Sequence, residues 1–285
     1  MIKTYNLTLQ AILVCLLLMF PGKILSGQNL EPFIGLHGGI NFSIPRVLQN
    51  YQVITPLDGT TPENRNYSPF FRNFGHQFGF SFYLGIKDHL AIGFLPEFNN
   101  YSYRFSSSMD FFDNQGQTVS SVEYRSMQRL NYLSFPVIVQ YNVRKKGFTP
   151  YLFAGVAYEV LRNAQHNVNI ITTLAGPDNV FTDNNTDNYS TQFIHSKLDV
   201  LGGVGVAYDF TQFRLGLDVS YRLCLNNITS TSGRYDNQTI SGSTYDVSDD
   251  IKLNNLLINA TISFPINKIT KKGAVDCTYF KTKRK

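Results

Sequence analysis

The sequence has no tryptophan, only 3 cysteines and a charged fraction of 16%. Soluble domains carry about 25% charged residues, so much of this protein's surface does not rely on charge to meet its surroundings. A disulfide is not expected, because Cys15 lies in an N-terminal apolar run while Cys224 and Cys277, which could pair in an oxidising compartment, fall in a strand pattern and in a polar tail. Beyond the N-terminus no stretch approaches the run of about 18 apolar residues that a membrane helix needs.

The N-terminal run itself, Ala11 to Phe20, is preceded by Lys3 and followed by Pro21, Gly22 and the small pair Ser26-Gly27. These are the proportions of a secretory signal peptide, residues 1–27, cut before Gln28. A retained anchor is the alternative, and lipidation would need a cysteine where Gln28 stands.

What the chain has in quantity is Phe (23), Tyr (17) and Gly (21), a composition suited to strands and tight turns. Residues 213–225, FRLGLDVSYRLCL, alternate strictly: Phe213, Leu215, Leu217, Val219, Tyr221, Leu223 and Leu225 share one face. Comparable period-two segments occur near 33–42, 74–86, 89–105, 124–143, 149–162, 193–210, 212–226 and 251–264. The links alternate in length. Lys87-Asp88, residues 144–147 and Thr211-Gln212 are tight, whereas 43–73, 106–123, 163–192 and 227–250 are long and polar. All long loops therefore lie at one end and all short turns at the other, as in barrels with periplasmic turns and extracellular loops.

The two faces differ in kind. One carries Ile34, Leu36, Ile40, Phe78, Phe80, Phe82, Leu133, Val137, Val204 and Val206; the other carries His37, Asn41, Gln77, Glu97, Asn99, Gln140, Asp218, Asn255 and many Gly. Eight strands enclose an interior just wide enough for their own side chains, so the large apolar face belongs outside. The expectation is all-β: an eight-stranded antiparallel transmembrane β-barrel, residues 28–264, with aromatic belts at Tyr141, Tyr208, Phe210, Phe213 and Phe264 on the turn end and Phe42, Phe78, Phe98, Tyr158 and Tyr221 on the loop end. Placing Glu159 inside also places Tyr151 and Phe153 inside, and Pro96 and Pro136 are read as bulges or bends.

Charges inside a narrow barrel must be paired. Glu97, Glu159, Asp199 and Asp218 are expected to form a structural lumen network with Arg214, Arg222 and Lys197; a proton or ion path is the alternative. No cofactor is implied. The histidines, at 37, 76, 89, 166 and 195, lack metal-ligand spacing, so no metal site is expected, and no phosphate-binding glycine motif follows a strand. An enzyme reading would have to rest on His195-Ser196 with Glu123 or Asp187 near a strand end; with no nucleophile motif, no catalytic residue is assigned. The net charge of +5 does not point to nucleic acid, because residues 265–285 alone carry seven basic residues against Asp276.

Two stretches, NYLSFPVIVQYNVRKKGFTPYLFAGVAYEVL (131–161) and LDVLGGVGVAYDFTQFRLGLDVSYRLCLNNI (198–228), resemble the PorT-like outer-membrane β-barrel family of Bacteroidetes-type bacteria. The resemblance implies a barrel of about eight strands in the Gram-negative outer membrane, without assigned activity for most members. The family's namesake is implicated in protein secretion by the type IX pathway. Unlike many such barrels the chain continues past its last strand into a basic periplasmic tail, 265–285. The expected partners are outer-membrane lipid and, through that tail, a periplasmic or secretion-machinery protein. The expected role is structural or interactive, with a secretion accessory and a lipid-modifying enzyme as alternatives.

Overall fold

The period-two segments close into one antiparallel ladder. The computed structural model describes residues 32–51, 65–87, 89–113, 115–143, 147–174, 180–188, 190–233 and 248–266. Its strands are β1 (Pro32–Gln49), β2 (Asn66–Tyr67), β3 (Phe74–Lys87), β4 (Leu90–Phe94), β5 (Glu97–Phe112), β6 (Thr118–Asn142), β7 (Phe148–Leu174), β8 (Val180–Asn188), β9 (Ser196–Asp209), β10 (Arg214–Cys224) and β11 (Asp250–Pro265). Counting β4 and β5 as one interrupted strand, the order β1, β3, β4/β5, β6, β7, β9, β10, β11 is a ring of eight strands, shut by β1 on β11. Closure leaves no edge within the membrane, the condition for crossing hydrocarbon with strands. The signal-peptide reading for 1–27, the turns at Asp88 and 144–146, and the tail beyond Ile266 with Cys277 lie outside the described residues.

The faces fall as expected. Leu36, Phe78, Phe80, Val204 and Leu217 are all more than half exposed, while their strand neighbours His37, Gln77, Ser81 and Asp218 are buried. Such a surface is stable only against lipid. At the turn end Tyr208, Phe210, Phe213 and Phe264 form a run of rings with centroids 4.7, 4.6 and 6.4 Å apart, and at the loop end Phe78 lies 5.6 Å from Phe98.

Three expectations change. First, Pro96 and Pro136 cause no register shift: Phe94 pairs with Val137 and Glu97 with Ser134, and β6 runs unbroken through Pro136. The chain merely interrupts its ladder at Leu95-Pro96, where Leu95 N–H donates to the Pro136 carbonyl at 3.0 Å. Register shifts fall elsewhere, near the strand ends between Val47 and Gln49, Gly85 and Lys87, and Phe111 and Phe112, and within β7 at Arg162, between the pairs Asn131 with Asn163 and Tyr132 with Leu161. The bulge at Arg162 reverses the phase of β7, so that Glu159 and Leu161 below it and Ala164 and His166 above it all face inward.

Second, residues 106–123 and 163–192 are not plain loops. β5 and β6 pair as far as Phe112 with Thr118, and β7 pairs with β8 from Gln165 with Asn188 to Thr173 with Val180. β9 leaves β7 at Ser196 with Val160. Above that point β2, β5, β6, β7 and β8 rise as one open sheet, here termed the crown, carrying β7 onward by about 45 Å of strand. The β5–β6 turn is closed by the Asp113 carboxylate, which accepts the Gln115 and Gln117 N–H groups at 2.8 Å, with Gly116 at φ 75° where other residues are strained.

Third, the interior is more aromatic than a polar lining suggests. Inward glycines make the room: Gly203 and Gly205 of β9 pair with Phe153 and Tyr151 of β7. A Cβ on Gly205 would sit 2.4 Å from Tyr151 Cζ, and one on Gly203 would sit 2.6 Å from Phe153 Cζ. The rings lie over bare backbone, as aromatics do beside strand glycines. G205A is expected to cost about 1–3 kcal/mol by overpacking, measured as a lower midpoint of the folded band in urea-titrated, unboiled gels. An unchanged midpoint would mean that Tyr151 moves aside freely.

Candidate functional site

Inside the barrel the side chains stack in levels. The floor, nearest the short turns, is Tyr83, Leu95, Ile138, Phe153 and Leu201. Beside it Asp218 accepts hydrogen bonds from Asn259 Nδ2 at 3.0 Å and Tyr151 OH at 3.3 Å. The unfilled space at this level, bounded by His37, Tyr151, Asp218, Arg222 and Asn259, is about 30 Å³, room for one or two water molecules rather than a passage.

Next comes a chain of charges running across five strands. His37 Nε2 lies 2.8 Å from Glu97 Oε2, and Glu97 Oε1 accepts from Arg222 Nη2. Arg222 Nη1 donates to Glu159 Oε1 at 2.9 Å, to Tyr101 OH at 3.2 Å and to Ser134 Oγ at 3.3 Å. Glu159 Oε2 pairs with Lys197 Nζ at 2.8 Å, and Lys197 Nζ donates to Asp199 Oδ2 at 2.5 Å. Lys197 also lies against the rings of Tyr101 and Tyr132, 5.3 and 5.2 Å from their centroids. Arg222 bridges two carboxylates with separate nitrogens, the use for which a guanidinium fork is suited.

Above the charges lies a second apolar level, built from Tyr101, Tyr103, Phe105, Leu130, Tyr132, Leu161, Phe193, Ile228, Ile251, Leu253 and the free thiol of Cys224. It fills the mouth of the barrel and continues onto the inner face of the crown. Asp249 closes the rim, since its carboxylate takes Arg65 Nη1 at 2.5 Å, Tyr67 OH at 2.7 Å and the Tyr51 N–H at 2.8 Å. Burial, with Tyr103 and Asp249 beside it, pushes the Tyr67 phenol above its usual range, so it remains a donor at physiological pH.

Of the residues expected in the lumen network, Glu97, Glu159 and Arg222 meet directly, and Asp199 joins through Lys197. Asp218 is buried but contacts neutral donors rather than a cation. Arg214 is a correction: it grips Asp209 at 2.5 and 3.1 Å at the turn end, a fifth exposed, and stacks over Phe33. Alternation assigns it to the inner face but says nothing about the height at which β10 begins. His37, Tyr101 and Ser134 complete the network and were not expected to join it, although each stands at an inward position of its strand. The enzyme candidates do not assemble. Ser196 pairs with Val160, whereas Glu123 pairs with Ile171, roughly 35 Å further along β7, and binds Arg125 in the open. The Asp187 side chain lies outside the described residues.

A closed eight-stranded barrel with a lipid-facing exterior, long loops at one end and a packed, ion-paired interior is an outer-membrane protein of the Gram-negative type. The chain matches the outer membrane protein beta-barrel domain over residues 28–230, and it belongs to that family. No curated protein matches it closely enough to report. Among solved structures it is similar to the outer membrane protein OprG from Pseudomonas aeruginosa, at 12% identity and a TM-score of 0.40, covering 82% of this chain and 96% of that one. It is also similar to Ail, the attachment invasion locus protein of Yersinia pestis, at 11% identity and a TM-score of 0.32, covering 82% and 99%. The outer membrane protease OmpT from Escherichia coli aligns at 9% identity and a TM-score of 0.30, covering 84% and 97%.

The charge chain predicts unequal costs for its arginines. R222M removes the cation that Glu97 and Glu159 share, leaving Glu97 with His37 and Glu159 with Lys197, and is expected to destabilise the barrel by about 3–5 kcal/mol. R214M removes only a partly exposed pair and is expected to cost about 1 kcal/mol or less. Urea midpoints of the two refolded variants in detergent test this, and equal losses would contradict the placement of Arg214 outside the network.

Proposed function

We propose that the protein is a non-conducting, non-catalytic barrel of the PorT-like kind that anchors a stiff β-sheet crown on the cell surface for binding a protein partner. The observation that carries this reading is the continuity of β5, β6 and β7 from the membrane into the crown, with Phe105 and Tyr103 packed on its inner face and Asp249 tying its base. A pore would need an open lumen, and this one is filled at three levels. A rigid, strand-built projection displays a fixed surface at little ordering cost on binding, which suits recognition.

A second reading, an accessory part of a type IX-like secretion machine, rests on the seven basic residues of the tail at 265–285. A lipid-modifying enzyme has less support, since Ser196 and Glu123 stand far apart on the sheet.

The refolded protein is expected to show no stepwise conductance in planar bilayers. In surface cross-linking on intact cells, a variant in which a two-residue turn replaces residues 165–188 is expected to lose its partner, and a variant ending at 266 is expected to keep it. Conductance of discrete steps would overturn the sealed-barrel reading, and loss of the partner only with the tail would favour the secretion reading.

A further inference from the structure

The outer surface changes character abruptly where the strands leave the apolar band. On β7 Tyr158 and Val160 are followed by Arg162; on β6, above Leu133, come Asn131 and Arg129; on β5 Phe98 gives way to Asn100 and, past the buried Ser102, to Arg104. Arg104, Arg129 and Arg162 are exposed, and their side chains have no hydrogen-bond or ion-pair partner among the described residues. The register holds them together. Arg104 pairs with Met127 and Ser102 with Arg129, which makes Arg104 and Arg129 diagonal neighbours, about 7–8 Å apart at the backbone. Arg129 pairs in turn with Gln165, and the β7 bulge adds Arg162 to the same outward face just below. Every residue directly opposite these arginines is uncharged.

A second, independent feature lies across the barrel at the same boundary. Past Phe42 and Ile44, Arg46 of β1 stands directly opposite Lys252 of β11, above Leu256. Like charges facing each other across a ladder are unfavourable unless an anion joins them. Of the acids above this boundary, Asp250 is engaged with Tyr51 and Asn227, and Glu123, far up the crown, with Arg125. Each step between outward residues rises about 7 Å along a strand, or about 5 Å along the membrane normal at a 45° tilt. The five cations stand one to three such steps beyond the last apolar residue, where the hydrocarbon ends and headgroups begin, and long basic side chains can bend toward that level.

We infer that this basic collar binds the phosphate groups of a phosphorylated glycolipid in the outer leaflet, with Arg104, Arg129 and Arg162 as its principal site. Three guanidiniums on adjacent strands offer paired N–H donors to phosphate oxygens, while Phe98, Leu133 and Val160 below them meet the acyl chains of the same molecule. Charge and depth together select this occupant, because a soluble anion would gain nothing from the apolar band and an uncharged lipid nothing from the arginines.

The test uses the full mature chain refolded in neutral detergent. Its affinity for bisphosphorylated lipid A is measured by the shift in unfolding midpoint on titration, beside dephosphorylated lipid A and inorganic phosphate at matched concentration. Bisphosphorylated lipid A is expected to bind at least tenfold more tightly than the dephosphorylated form, and inorganic phosphate to give no shift. With each basic side chain near a charged membrane surface contributing about fivefold, R104Q/R129Q/R162Q is expected to lose on the order of a hundredfold. R125Q, whose arginine is already paired with Glu123, is expected to bind as the parent does. Equal binding of both lipid A forms by the unmodified chain overturns the proposal whether or not the triple variant folds. An equal shift with inorganic phosphate, or full affinity in a folded triple variant, does so as well.

Discussion

The rest of the structure depends on one constraint: in hydrocarbon a backbone N–H or C=O has no partner but another strand. The pairing of β1 with β11, from Phe33 with Pro265 upward, satisfies the last open edges of the ring. Once eight strands close, their interior is narrow, and every inward side chain must fit against several others. The aromatic rings over Gly203 and Gly205 and the charge chain around Arg222 are two answers to that confinement, one steric and one electrostatic.

Confinement also explains why the charges form a chain instead of isolated pairs. A carboxylate in such a site has more acceptor capacity than one cation satisfies. Glu159 therefore meets Arg222, Lys197, Tyr101 and Ser134, and Glu97 meets Arg222, His37 and Asn99. Its charged members come from β1, β5, β7, β9 and β10, so the network ties together parts of the ring that the ladder links only through their neighbours. The same arrangement fills the lumen at this level, so the contacts that hold the ring together are also those that occupy its interior.

In the proposed reading, function is divided along the axis: outward residues meet lipid up to the level of Phe98 and Leu133, headgroups at the arginines, and the cell's surroundings above. The bulge at Arg162 sits at the middle of these boundaries. It turns two successive residues, Arg162 and Asn163, toward the outside and lets the inner face above it become apolar again.

The alternation of residues along each strand was legible from the chain alone, because side-chain period and strand geometry are local and need no knowledge of partners. So were the eight ring strands, the two faces and the inward placement of Tyr151, Phe153 and Glu159. The crown was not, since Ser106 to Ser108 is polar on both faces and Asn167 to Thr173 carries Val168, Ile170 and Ile171 without strict alternation, so both look like loops until a neighbouring strand supplies the other half of their ladder. Likewise local pattern could place Arg214 and Arg222 on one face of β10 but not at their different heights, nor join His37 to Glu97 across 60 residues or Glu97 to Arg222 across 125. Which face a residue takes is decided by its two chain neighbours; which residue it meets there is decided by strand register and ring closure, and those exist only in the folded barrel.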